Sequence, residues 1–181
     1  MKFRPTAAFV LMLCMLAFAV CFGAYRGWSQ EKARLDEPAA SLNAMIRLRA
    51  ESAYNLMTVA RRHLPEGDEA VESVRACWRM LADEKGVYAL DHKAQASENL
   101  TAAAEKLLAR LAALDSVKQD SRDSMYVQSL LPQMLRESEQ ITAGAAYNQA
   151  AAQFNRELRG SYSGMIAMLF GVKPAQEFIA E

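Results

Sequence analysis

Two histidines are the first places to look for chemistry in this 181-residue chain, because imidazole titrates near neutral pH and is the commonest metal ligand. His63, in RRHLPE, falls at the end of a helical pattern, where the terminal carbonyls favour an imidazole, and His92 falls in an LDHK turn. Neither has a second ligand one turn along its own helix, so no metal-binding role is expected for either. The carboxylate pairs Glu137 with Glu139 and Asp83 with Glu84 are spaced so that they cannot share a helix face, and they read as solvated surface. Serines and threonines are scattered, with no nucleophile elbow and no base at a recognisable offset. Of the three cysteines, Cys14 and Cys21 lie in an apolar run. Cys77 sits beside Trp78, where a small buried apolar role outweighs that of a nucleophile or an intermolecular disulfide. These residue types predict no catalytic centre, no cofactor and no metal, and the chain is not expected to be an enzyme.

What does recur is a polar pattern. YNQAAAQFN, Tyr147 to Asn155, repeats an aromatic followed by Asn after a seven-residue step, about two helical turns. Tyr147 and Phe154 then stack on one helix face, and Asn148 and Asn155 on the next. In one reading the two rings fill a bundle core against Leu56 and Leu107, while the amides bond to neighbouring helices or backbone and fix register. In the other, Asn148, Asn155 and the Tyr147 hydroxyl form an exposed strip on which a partner's peptide docks. A heptad-spaced polar pair serves either purpose.

The elements that carry these residues are helical by vocabulary. Ala, Leu, Met, Glu, Arg and Gln dominate over Val, Ile and Thr. The predicted fold class is all-α, an N-terminal transmembrane helix followed by an antiparallel bundle of about three or four long helices. Lys and Arg total 21, as do Asp and Glu. Without a basic excess or run, the counterion-release term of nucleic-acid binding has no footprint, and nucleic acid is not an expected partner.

The run AAFVLMLCMLAFAVCFGA, Ala7 to Ala24, carries no charge and with its flanks is long enough to cross a bilayer. A cleaved signal peptide is the rival reading. However, Phe22-Gly23-Ala24 and Phe18-Ala19-Val20 each put a bulky residue into the small-x-small pattern, and the second also suits a lipidated Cys21 poorly. The expected division is a short tail over 1–6, an uncleaved anchor over 7–26, a juxtamembrane linker or helix extension over 27–40, and the bundle over 41–181. Tyr25, Arg26 and Trp28 suit the far interface. Lys2 and Arg4 on the short side face Arg26, Lys32 and Arg34 interleaved with acids on the long side. That gives a modest preference for a cytoplasmic N-terminus, with the soluble part in a periplasm or on a cell surface.

Within the bundle, Leu42, Met45, Ile46, Leu56, Val59 and Ala60 recur at helical spacing from Ser41 to Leu64, after a break at Pro38 and before Pro65 and Gly67. Further helices are expected from about Asp68 to about Glu84, from about His92 or Ala94 to Leu114, and from about Ser121 to Arg159, the last kinked or restarted at Pro132. The amphipathic tail from Ser161 is expected to pack across the end of the bundle.

The stretch from Tyr147 to Phe178, YNQAAAQFNRELRGSYSGMIAMLFGVKPAQEF, resembles the C-terminal signature of the LemA family, in which Tyr-Asn repeats before an apolar, Gly-containing tail. RLRAESAYNLMTVARRHL is similar to that family's first soluble helix, with Arg47, Arg49, Asn55 and Leu56 in the motif places. Phe154 stands where the family has its second Tyr, and Tyr54 where it commonly has Pro, which marks a divergent member. The resemblance implies a single-pass protein of the bacterial inner membrane with a long-helix bundle and no catalytic residues. The expected function is a membrane-tethered scaffold or adaptor for protein partners, as a monomer or a homo-oligomer. The alternative is an envelope sensor or accessory subunit binding a small ligand between helices, with Trp78, Tyr88 and Tyr126 as candidate lining.

Overall fold

A computed structural model describes residues 5–139 and 143–180, and among them all regular secondary structure is helical. The helices are α1 (Pro5–Ala33), α2 (Asp36–His63), α3 (Glu69–Leu81), α4 (Leu90–Ala113), α5 (Asp115–Gln119), α6 (Ser121–Met125), α7 (Leu131–Glu139), α8 (Ala143–Gly160) and α9 (Tyr162–Leu169), with a π turn, Tyr126–Leu130, between α6 and α7. The chain is all-α, an apolar N-terminal helix followed by a helical bundle. It divides into two compact units, Met1–Pro38 with Gln149–Gln176 and Ala39–Asn148 with Glu177–Glu181.

In the first unit, α1 is, among the described residues, the helix long and apolar enough to cross a membrane. Phe9, Leu11, Leu16, Phe18 and Phe22 on it are all exposed. The helix continues past the apolar run to Ala33, so residues 27–33 extend it rather than linking it. The break falls at Arg34 and Leu35, whose amides bond back to the carbonyls of Glu31 and Lys32 at 3.2 and 3.0 Å. Pro38, where the sequence marks a break or a bend in a helix begun earlier, sits in the first turn of α2, where a backbone N–H has no intrahelical partner and its loss is harmless.

Leu35, Phe154, Leu158, Ala167 and Val172 form the core of this unit, with Trp28 and Met168 packed on it. Phe154 belongs to this cluster. Its ring meets Trp28 edge to face, centroids 5.9 Å apart. The chain turns sharply from α8 into α9, where the Ser161 hydroxyl accepts from the Gly164 amide at 3.0 Å. Any Cβ at Gly164 would stand 1.9 Å from the Leu158 carbonyl oxygen, so only glycine fits. α9 packs on α1, and the described chain beyond residue 172 has no regular secondary structure.

The second unit holds an up-down-up-down bundle. Arg49 on α2 donates to Thr101 Oγ1 of α4 at 2.9 Å, and His63, at the far end of α2, meets Ser116 Oγ of α5 at 3.1 Å, so α2 and α4 run parallel. The return limb starts with Asp123 of α6 beside Arg62 and ends with Glu139 of α7 beside Arg49, antiparallel to both. The short α3 fills the other antiparallel place and packs closely on α4. Leu56, Met57, Val74, Leu100, Leu107, Leu111 and Leu131 are fully buried in this unit.

Two local choices set the limb ends. Asp68 caps α3 by accepting from Ala70 N at 3.0 Å, and its carboxylate also pairs with Arg110 at 2.7 Å. α3 stops at Leu81, short of Glu84, because the Asp83 carboxylate takes the amides of Lys85 and Tyr88 at 3.2 and 2.9 Å and folds the chain into a loop. In the return limb the Pro132 ring would clash with the carbonyl four residues back in a regular helix. The π turn widens the backbone there, with Leu131 N bonding five residues back to Tyr126 O.

Candidate functional site

A helix of 3.6 residues per turn sends positions 47, 51, 54 and 55 to one face of α2 and positions 49, 53, 56 and 60 to the other. The second set is buried, and the first is exposed. The motif residues singled out from the sequence are thereby split. Arg47 and Asn55 border an open groove of about 740 Å³, together with Tyr54, Trp78, Asp83 and Lys93. Arg49 and Leu56 point inward, at 3% and 0% exposure.

The groove centres on an aromatic pair. Tyr54 stays 50% exposed although its ring centroid is 6.1 Å from that of Trp78 on α3, tilted by 38°. Beneath them lie the buried Ile46, Ala50 and Leu81. The rim carries both signs. Arg47 and Glu51 come from α2, and Asp83, Glu84 and Lys93 from the α3–α4 loop and the start of α4. The Tyr88 amide, donating to Asp83, holds that carboxyl below its ordinary range against the opposing effect of burial, and Lys93 adds to the effect. Lys93 Nζ also donates to the Asp83 carbonyl at 2.8 Å, which fixes the loop and with it one wall of the groove. An apolar floor with a ring pair and a mixed-charge rim suits an amphipathic segment with an aromatic or aliphatic anchor.

The remaining motif residues serve the interior. Arg49 reaches across to α4, where it donates to the Ser97 carbonyl as well as to Thr101. Burial pulls its guanidinium pKa down, and the nearby Glu139 carboxylate resists. Tyr147 is buried, and that burial pushes its phenol up, with Glu177 contributing in the same direction. Asn148 and Asn155 hold the C-terminal tail. In the second unit Asn148 donates to the Phe178 carbonyl at 2.7 Å and accepts from the Phe178 amide at 2.6 Å. In the first unit Asn155 does the same to Ala175, at 2.9 and 2.8 Å. The proposed docking strip is thus occupied by the chain's own tail.

One cluster escaped the sequence reading because its members are 53 to 61 residues apart. His63 bonds Ser116 through Nδ1 and the buried Asp123 through Nε2 at 2.9 Å, and Arg62 bonds the same carboxylate at 2.7 Å. Although burial opposes it, the hydrogen bonds from His63 and Arg62, with their positive charge, hold the Asp123 carboxyl below its ordinary value. The set has the residue types of a hydrolytic triad, but Arg62 shares the carboxylate that would orient the imidazole. Ser116 is exposed on a five-residue helix. The four side chains tie the end of α2 to α5 and α6.

The three aromatics weighed for a ligand pocket do not converge. Trp78 lines the groove, Tyr88 stacks edge-on with His92 at 6.5 Å, and Tyr126 borders a separate hollow of about 320 Å³ under Arg122. Among the described residues no three His, Cys, Asp or Glu side chains are grouped to hold a metal ion. Compared with known proteins, the chain matches no family model and no curated protein.

Proposed function

We propose that this chain is a single-pass membrane protein of the LemA type that works by binding, as a scaffold or adaptor in a bacterial envelope. In this reading α1 anchors the chain in the inner membrane, and the helical bundle lies on the periplasmic or outer side. The bundle takes an amphipathic helix or peptide of a protein partner into the groove on α2 and α3. The observation that carries the reading is the half-exposed Tyr54 ring beside Trp78, on a buried floor and within reach of both charges. Large exposed rings over a packed floor are the usual anchors of protein recognition. The LemA resemblance and the uncharged run of α1 from Ala7 to Ala24 support the placement.

A photo-crosslinking residue at Glu51, which borders the groove, tests the reading in native bacterial membranes; the same residue at Gln128 on the return limb is the control. A discrete adduct from position 51 that is lost in Tyr54→Ala and Trp78→Ala is expected. Adducts insensitive to both substitutions, or equal from the two positions, would overturn it. Carbonate-resistant sedimentation with an intact N-terminus checks the anchor separately.

A further inference from the structure

Resting on the reading of α1 as a membrane anchor, we propose that α9 is an interfacial helix seated on the leaflet from which α1 emerges, with phospholipid as its occupant. The residues from Gly160 to Val172 carry no charge, and the run is bounded by Arg159 and Lys173. Within it, Gly164 and Ala167 face inward and are buried, so α9 has a packed side. The other side is unusually bare. Tyr162 is 86% and Leu169 85% exposed, and Met165 and Phe170 are about half exposed, at 45% and 55%. Positions 162, 165 and 169 follow helical spacing, so Tyr162, Met165 and Leu169 form one continuous apolar stripe. A stripe of that size on a soluble surface is a liability, and something covers it.

The occupant follows from where α9 lies on α1. Trp28 Nε1 donates to Ser163 Oγ at 3.2 Å, and Tyr162, Ser163 and Ile166 share a groove of about 620 Å³ with Ala19, Val20, Gly23 and Trp28. Ala24 closes the uncharged run, and Trp28 is four residues beyond it, about 6 Å along the axis. α9 is therefore held beside the last apolar turns of the anchor and at the level of its interfacial aromatic. Lys32 donates to the Lys173 carbonyl at 2.9 Å, which pins the far end of the segment to the same helix just above that level. A short apolar helix fixed at this depth meets the headgroup–acyl boundary, where interfacial helices bury their apolar faces by roughly 5–10 Å. The bare tyrosine suits the same layer, ring in the apolar part and hydroxyl among headgroups. The flanking Arg159 and Lys173 fall where anionic headgroups lie.

The test uses the full chain in phosphatidylethanolamine–phosphatidylglycerol vesicles. Cys14, Cys21 and Cys77 are replaced by Ala, and a nitroxide is attached to one new cysteine at a time, from Leu16→Cys, Leu169→Cys, Phe170→Cys or Ser129→Cys. All four positions are exposed, so labelling leaves the packing intact. The readout is accessibility to dissolved oxygen against a water-soluble nickel chelate. A ratio several-fold higher at 169 and 170 than at 129, and lower than at 16, is the expected result. A deep position 16 with 169 and 170 as wet as 129 overturns the inference while leaving the anchor standing. A wet position 16 removes the anchor, and the inference falls with it. Spin–spin broadening at 169 that vanishes on dilution with unlabelled chain, without oxygen preference, assigns the stripe to a second copy and also overturns it.

Discussion

The side-chain amide of Asn155 does for Ala175 what the peptide of a neighbouring strand would do, giving one hydrogen bond to its carbonyl at 2.9 Å and taking one from its N–H at 2.8 Å. Asn148 repeats the arrangement on Phe178. Ala175 and Phe178 thus have their main-chain groups satisfied without a sheet, and the repeated Asn has a structural purpose.

Replacing Asn155 by Ala strands a partly buried N–H and C=O together, and each such group costs about 1–3 kcal/mol. Asn155→Ala and Asn148→Ala are each expected to lower stability by roughly 2 kcal/mol and to expose the tail to limited proteolysis in detergent. Asn155→Asp keeps the acceptor but sets a carboxylate against the Ala175 carbonyl, and it should fare no better. Melts and cleavage rates unchanged from the parent would count against the clamp.

Gly164 and Gly160 are four residues apart but should answer oppositely to alanine. At Gly164 a methyl group meets the Leu158 carbonyl oxygen, so Gly164→Ala should cost about 1–3 kcal/mol through backbone displacement. A Cβ at Gly160 meets nothing within 4 Å, so Gly160→Ala should be neutral or stabilising by up to about 1 kcal/mol. Paired thermal melts of the two variants decide the matter.

Phe154→Ala removes a ring from the core formed with Leu35, Leu158, Ala167 and Val172 and should cost about 3–5 kcal/mol. Because Trp28 stacks on that ring, the loss also has a local signature, a changed Trp28 emission in a Trp78→Phe background. Unaltered emission would place Phe154 elsewhere.

Asp123 gives the bundle a pH dependence of known sign. Its folded pKa lies below the unfolded value, so its contribution is complete above the ordinary carboxylate range, about 4, and is lost as pH falls through the depressed native value. Denaturant midpoints measured from pH 7 down to pH 3 should fall less steeply in Asp123→Asn than in the parent over the acidic part of that range. At pH 7 the same substitution should cost on the order of 2 kcal/mol, because Arg62 and His63 lose a charged acceptor.

The all-helical class, the long apolar N-terminal helix and the burial of Leu56, Tyr147 and Phe154 were legible because each rests on local composition and periodicity. The break at Leu35 was misplaced because Pro38 is an obvious breaker only inside a helix, and in a first turn it is permitted. A kink or restart of the last helix was expected at Pro132, and the π turn at 126–130 is where the backbone accommodates that ring. Heptad spacing placed Phe154 on a buried face but could not name the neighbours it meets there, Leu35 and Trp28. The Ser116, His63, Asp123 and Arg62 cluster, like the Tyr54–Trp78 groove, joins residues far apart in sequence, and only the fold brings them together.

The two Asn rungs make α8 a gauge for the tail. Seven residues of helix advance about 10.5 Å, and three residues of extended chain advance about 9–10 Å. One interval of YN-to-FN therefore measures one interval of Ala175 to Phe178. Because the amides bond the main chain of Ala175 and Phe178, the interval fixes how many residues lie between the rungs. A one-residue insertion or deletion between 175 and 178 should release the tail from one of the two rungs.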